Sequence, residues 1–370
     1  MATGSTSSTG STSFTSATSV TGFNRSASSA GNTSAAGASD TLSDVLRTVR
    51  LRGAVFYAVN VGPEWAVEAP ASAEVAAMVV PGAGRVIEYH VLIEGTAWAS
   101  LPGQPPVRLA PGDVVMFPQG DAHVMASAPG VPPLPFSMDW MRATHELPKP
   151  LPLAIHGNDL AWGDAARRTD GRSDIVCGFL GCDHGPFNPL LEALPRLLHV
   201  PADGDGAWLR QAMLQAACGV CGPGGGPGGG ALAERISETM FIDAVRRHAS
   251  RLPDHATGWL AGLRDRQVGR ALALIHADPG HPWNVAQLAA AAALSRSAFC
   301  ERFARLLGVS PARYLARWRM ELAATLLRQG QAPVASIAFQ VGYESEAAFT
   351  RAFARLVGMP PSRWRATQLQ

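Results

Sequence analysis

The spacing of apolar positions changes several times along this chain. In residues 41–50, TLSDVLRTVR, apolar side chains recur at helical intervals. From Gly53 to about Trp140 the period shortens to that of strands: AVFYAVN, RVIEYHVLI, TAWASL, VRLAPGDVVMFP and AHVMAS. Gly and Pro separate these runs at roughly the 8–12-residue intervals of an all-β barrel or sandwich. Residues 175–180 are a candidate further strand. PFNPLLEALPRLLHV, WLRQAMLQAA and ALAERISETMFIDAVRRHA then read as helices, interrupted by the flexible CGPGGGPGGG at 221–230. From Leu263 onward the spacing is helical apart from short turns.

The pattern predicts an α+β multidomain protein. Residues 1–39, rich in Ser, Thr, Ala and Gly with the single charge Arg25, lack the apolar core of a signal peptide and read as a disordered low-complexity tail or an over-long start. Residues 40–200 form the β-rich domain, 201–262 a helical coupling and dimerisation region, and 263–370 an all-α domain.

The all-α region repeats itself. SAFCERFARLLGVSPARY begins at Ser297 and AAFTRAFARLVGMPPSRW at Ala347, so that Phe299, Phe303, Arg305, Gly308, Pro311 and Arg313 return 50 positions later. VAQLA at 285–289 returns as VASIA at 334–338, offset by 49, which places the one-residue slip in a turn. Each unit is therefore a short helix, a tight turn and a second helix. Ala289 and Ala338 permit close helix crossing, Gly342 supplies a positive φ in the second turn, and Ser295 and Ser345 stand at the N-caps of the second helices. This is helix-turn-helix geometry, in which the second helix enters the major groove of DNA. Between the units Pro311 to about Arg328 reads as one helix of about 26 Å, long enough to hold two recognition helices near the ~34 Å repeat of successive grooves.

Charge sharpens this picture. The net charge of +2 hides 14 arginines against 6 acidic residues from Arg264 onward, a balance of +8, and −6 over the remainder. A basic terminal domain on an acidic body points to a polyanionic partner. No stretch approaches the ~18 apolar residues of a membrane span. Five cysteines, an odd number, without an export signal favour a reducing, cytoplasmic compartment.

On these residues, IAFQVGYESEAAFTRAFARLVGMPPSRWR above all, the region 264–370 resembles the DNA-binding domain of AraC/XylS-family transcription regulators. The resemblance implies double-stranded DNA as partner. It also implies base-edge readers at Arg296, Ser297, Cys300 and Glu301 in the first unit, and at Glu346, Ala347, Thr350 and Arg351 in the second. Arg pairs with guanine, Glu accepts from cytosine, and Ala or Thr meets a thymine methyl. Arg305 and Arg355, further along each helix, suit phosphate. Ala347 is shorter than the polar side chains common at its position in the family, which narrows direct readout by the second unit.

YHVLIEGTAWASL and LAPGDVVMFPQGDAHVM resemble the paired motifs of the cupin barrel, and CGFLGCDHGPFNPLLEALPRLLHV resembles the cupin-type sensor half fused to such DNA-binding domains. The implied architecture is a cupin-like β-barrel with following helices, then two helix-turn-helix units joined by a long helix. Cupin enzymes place histidines and a carboxylate around a metal. Here His90, Glu94 and His123 occupy matching positions and Glu88 stands where the first His belongs. The set Glu88, His90, Glu94 and His123 can hold a divalent metal. It can equally line a barrel that takes an organic effector and no cofactor. Cys177 and Cys182, with Asp183 and His184 beside them, are candidates for zinc or oxidant sensing; Cys218 and Cys221 are a second pair that would complete a four-cysteine site.

The leading expectation is a non-enzymatic, sequence-specific transcription regulator, an activator acting with RNA polymerase, whose barrel senses a small molecule. A homodimer is expected through residues 187–251, with Leu232, Ile236, Met240, Ile242 and Val245 as its apolar surface. The alternatives are a metal-dependent cupin enzyme tethered to a DNA-binding domain and a cysteine-based redox regulator.

Overall fold

The computed structural model describes residues 40–48, 51–157, 159–166, 172–183, 185–202, 207–221, 228–330 and 332–368. The expectation for residues 1–39 lies outside them, as do His184 and the side chains of Cys218 and Cys221. Helix α1 (Thr41–Thr48) precedes β1 (Leu51–Val61) and β2 (Ala66–Ala69). Helix α2 (Ser72–Val79), absent from the strand-period reading of this region, leads to β3 (Arg85–Glu94), β4 (Ala97–Ser100), β5 (Val107–Leu109), β6 (Val114–Phe117) and β7 (His123–Ala126). After α3 (Met138–Thr144) come β8 (Leu151–His156), β9 (Asp159–Trp162) and β10 (Ser173–Cys182).

Pro195 divides the segment expected to be one helix at 186–200. Helix α4 (Pro189–Ala193) stops before it, and β11 (Leu198–Val200) follows and pairs antiparallel with β6. The strands form two sheets, ordered β11-β6-β3-β10-β1-β8-β9 and β2-β7-β4-β5. In β3, an interior strand of the larger sheet, period-2 alternation divides the side chains between two cores. Glu88, His90 and Leu92 face the barrel interior, whereas Ile87, Tyr89, Val91 and Ile93 join the outer core under the helices.

That outer face carries α5 (Ala207–Cys221) and α6 (Gly229–Arg251). Tyr89 donates to the Ala54 carbonyl at 3.1 Å, and its hydroxyl lies 2.7 Å from Ser237 Oγ on α6. Glycine is required where these groups meet: a Cβ on Gly178 would stand 2.2 Å from the Ala54 carbonyl oxygen and 2.4 Å from the Tyr89 hydroxyl. The tight seat of α6 corrects the expected dimer surface. Met240 and Val245 are fully buried against the barrel; Leu232 and Ile242 are the exposed large apolar residues of this helix.

The C-terminal region is helical: α7 (Trp259–Arg264), α8 (Arg266–Ala277), α9 (Val285–Ala291), α10 (Arg296–Leu307), α11 (Pro311–Arg328), α12 (Val334–Gln340), α13 (Glu346–Val357) and α14 (Pro361–Gln368). Ser295 accepts from the Ala298 N–H and Ser345 from the Ala348 N–H, capping α10 and α13. Gly308 and Gly358 close them in the left-handed conformation. In the inner turns Gly342 has φ +84° and its counterpart Ala293 has φ +55°. The left-handed region strains an L side chain, so Ala293→Gly is expected to raise stability by up to about 1 kcal/mol, read as a higher Tm with unchanged DNA affinity.

The two units have different cores. Phe299 and Phe303 belong to a continuous apolar core that runs through α7, α8 and α11 to the outer face of the barrel sheet. Phe349, Phe353 and Trp364 belong to a separate, smaller core with Met320, Leu327 and Ile337. Among the described residues no helix is long and apolar enough to cross a membrane.

Candidate DNA-reading face and sensor cavity

On α10 the side chains of Phe299 and Phe303 point inward, leaving Arg296, Ser297, Glu301 and Arg305 exposed and Cys300 half-buried. On α13 Phe349 and Phe353 do the same, leaving Glu346, Ala347, Arg351 and Arg355 on the open side and Thr350 half-buried. Each set of residues expected to touch DNA thus shares the solvent side of its own helix. Arg305 is 3.9 Å from Glu301, an exposed pair one turn apart. Arg302 differs. It grips Asp265 with Nε at 3.0 Å and Nη2 at 2.5 Å from Oδ2, and Asp265 caps α8.

This contrast makes a mutational prediction. Arg296→Ala and Arg351→Ala are each expected to cost roughly 1–3 kcal/mol of DNA binding and to relax preference at different base positions. Arg302→Ala is expected to lower Tm and leave the base preferences intact, as measured by selection from a randomised duplex pool.

The barrel holds a partly open cavity of about 110 Å³ whose walls are largely apolar: Val59, Trp65, Phe136, Trp140, Met141 and Ile155 are among them. Its polar end is built by β3, β7 and β10. Glu88, His90 and His123 are buried with their ligand atoms within 4.8 Å of one another. Cys177 adds its thiol from β10.

The hydrogen bonds in this cluster run one way. His123 Nδ1 donates to the Asp121 carbonyl at 3.0 Å, so its Nε2 accepts from His90 Nε2–H at 2.8 Å. His90 Nδ1 then accepts from the Cys177 thiol at 2.9 Å. Burial, reinforced by His123, keeps His90 neutral well below the usual imidazole range. Burial likewise lowers His123 to about 4. The Glu88 carboxyl, 3.9 Å from His90 Nε2 and without a hydrogen bond at Oε2, is pushed up to about 8 by burial.

Two expectations about this end of the barrel are corrected. Glu94 is exposed at the end of β3, four extended residues or about 13 Å along the strand from His90, and does not join the cluster. Cys177 and Cys182 do not form a pair. An odd separation of five on one strand sends them to opposite faces, Cys177 to the cavity and Cys182 to the outer core beside the Arg85 carbonyl. Asp183 lies instead near Arg52 and Arg328, at 3.6 and 3.7 Å. Sequence reasoning missed Tyr57, Trp65 and Trp140 as lining residues. The alternation of AVFYAVN carried part of that information; Trp140 comes from a helix whose docking only the tertiary structure shows.

Two helix-turn-helix units on a common rod, fused to a barrel with an internal cavity, define a two-domain DNA-binding regulator. The comparisons agree: the family described as Cupin matches residues 40–250, and that described as Helix-turn-helix domain matches residues 288–367. The chain is 34% identical over 314 residues to a putative AraC-like transcription regulator of Streptomyces antibioticus, covering 83% of this chain and 92% of that protein. A second such regulator, of Streptomyces lividans, is 33% identical with the same coverage. The HTH-type transcriptional regulator AlkR of Acinetobacter baylyi is 28% identical over 322 residues, again 83% of this chain and 92% of that one. The chain belongs to the family of AraC-like transcription regulators that join a cupin domain to a helix-turn-helix domain.

Proposed function

We propose that this regulator uses its barrel cavity to sense a small, mostly apolar molecule, and that effector occupancy changes how its two recognition helices engage a promoter. The supporting observation is the partly open apolar cavity whose polar end carries the buried carboxyl of Glu88, with no hydrogen bond at Oε2. A route outward also exists. β10 carries Cys177 at the cavity and ends at Cys182, and five residues further along the chain the Phe187 N–H donates to Glu321 on α11 at 3.0 Å. Arg317 on the same helix is 2.8 Å from Glu192 and lies over the Phe187 ring.

In this reading the protein is a cytoplasmic homodimer that activates transcription through RNA polymerase and catalyses no reaction. The exposed Leu232 and Ile242 of α6 support the dimer. Residues 40–200 are the sensor, 201–262 the coupling region and 263–370 the DNA-binding domain. Footprinting of adjacent promoter regions with and without small apolar compounds tests the proposal, with Val59→Trp as the cavity-filling control. Loss of the effector response with retained DNA affinity is expected. A response that survives in Val59→Trp would place the effector elsewhere.

The clustering of Glu88, His90 and His123 favours a second reading, in which these residues hold a divalent metal of the kind the cupin fold implies. Two imidazoles and a carboxylate suit such an ion, which would supply Lewis acidity at the polar end of the cavity. His90 would first have to pass its Nε2 proton elsewhere, since both Nε2 atoms are committed to each other. Equilibrium dialysis with Zn²⁺, showing Glu88- and His123-dependent uptake with proton release, distinguishes this reading from the first.

A further inference from the structure

α10 and α13 are each fixed to their own core, so their mutual placement rests on what joins the two cores. The long helix α11 is one connection. A second is Arg319, half-buried on that helix. Its Nε donates to the Pro279 carbonyl at 2.8 Å and its Nη2 to the His281 carbonyl at 2.8 Å, both in the loop that enters the first unit. Its Nη1 donates to the Gly342 carbonyl at 3.1 Å, in the inner turn of the second unit. One planar fork therefore holds a turn from each unit. An ammonium group cannot reproduce that planar set of donors.

The surroundings are shaped to this contact. A Cβ on Gly342 would stand 2.6 Å from Arg319 Nη2 and 2.7 Å from the Gly280 carbonyl oxygen. A Cβ on Gly280 would stand 2.8 Å from the Gln340 carbonyl oxygen. The two turns meet backbone to backbone, with the guanidinium as the side chain bridging them. Tyr343, whose ring lies 5.8 Å from the Arg319 guanidinium, and Arg296 of the first recognition helix line the same groove.

We propose that Arg319 is a positioning residue for DNA reading: it sets the offset between the two recognition helices and thereby the number of base pairs separating the two boxes that one chain reads. Bases one step out of place are rotated about the DNA axis by roughly a tenth of a turn, so a rigid pair of helices must discriminate spacing. Without the Arg319 junction only α11 and the packing of the two turns connect the units, and the second helix can follow a displaced box.

The test uses the full chain and a duplex selected from a random pool by the unaltered protein, with one or two base pairs inserted or removed between the protected boxes. The unaltered protein is expected to lose about tenfold in affinity or more for each base pair of displacement, comparable to a mismatch in a box. Arg319→Met is expected to bind the selected duplex about tenfold more weakly yet to lose less than about threefold on a one-base-pair insertion. Arg319→Lys should fall between. Gly342→Ala, which drives a methyl to within 2.6 Å of Arg319 Nη2, should flatten the profile in the same way. Hydrogen exchange over residues 334–364 reports whether the second unit remains folded. A spacing profile as steep in Arg319→Met and Gly342→Ala as in the unaltered protein would overturn the proposal. So would loss of the second footprint at every spacing with an unfolded second unit, since Arg319 would then serve folding alone.

Discussion

Phe349→Ala is expected to cost about 3–5 kcal/mol and to unfold the second helix-turn-helix unit while the first continues to engage DNA. Phe349 is fully buried, with its ring centroid 5.6 Å from Phe353 and 5.6 Å from Tyr343. Its core is small, and a small unit has little stability to lose. The equivalent change in the first unit, Phe299→Ala, removes the same ring from a core continuous with the outer face of the barrel. It should lower the Tm of the whole body instead of melting one unit. Hydrogen exchange separates the two cases: Phe349→Ala should deprotect α12 and α13 and erase one of two footprint boxes. Simultaneous loss of both boxes would show that the units fold as one.

These unequal outcomes mark the limit of what repetition in a sequence reveals. The apolar stripes of α10 and α13, their serine caps and the single helix Pro311–Arg328 are written in local spacing, and local spacing decides them. Which core each stripe joins depends on contacts far along the chain. The same holds for α6, whose apolar residues are spread over several faces. Met240 and Val245 are inside and Leu232 and Ile242 outside because Tyr89, 148 residues before Ser237, fixes the helix rotation. Arg319 is one arginine among many in a basic domain, and its three carbonyl partners lie 40, 38 and 23 residues away. At the candidate cavity the His90–His123 contact follows from the paired barrel motifs. The exclusion of Glu94 and the separation of Cys177 from Cys182 follow from where a strand ends and which way it faces, and the motif spacing did not convey these.

Glu88→Gln is expected to stabilise the protein by a few kcal/mol at pH 8 and to flatten its stability between pH 7 and 8. The Glu88 carboxyl is raised from 4.5 to about 8 by burial. It faces Tyr57, His90 and Cys177, with no cation among the residues lining the cavity. The unfolded chain releases this proton through pH 4.5, whereas the folded chain keeps it until about 8. Over that window the unfolded state binds fewer protons, so stability falls as pH rises. His90, His123 and His276 act in the opposite sense. Burial holds all three neutral in the fold, and the unfolded chain gains protons as pH falls through 6.5, so they make stability rise with pH up to about that point. Glu321, raised to about 7 by burial, adds to the falling limb, is half spent at pH 7 and is exhausted by about pH 8. Stability should therefore peak near pH 6.5, and above 7 the decline belongs mainly to Glu88, at up to roughly 1.4 kcal/mol per pH unit. The substituted amide keeps the shape of the carboxyl and carries no titrating proton, so the peak should broaden toward alkaline pH. Urea unfolding at pH 6.5, 7 and 8 checks this; parallel curves for the two proteins would mean that Glu88 ionises in the fold without penalty.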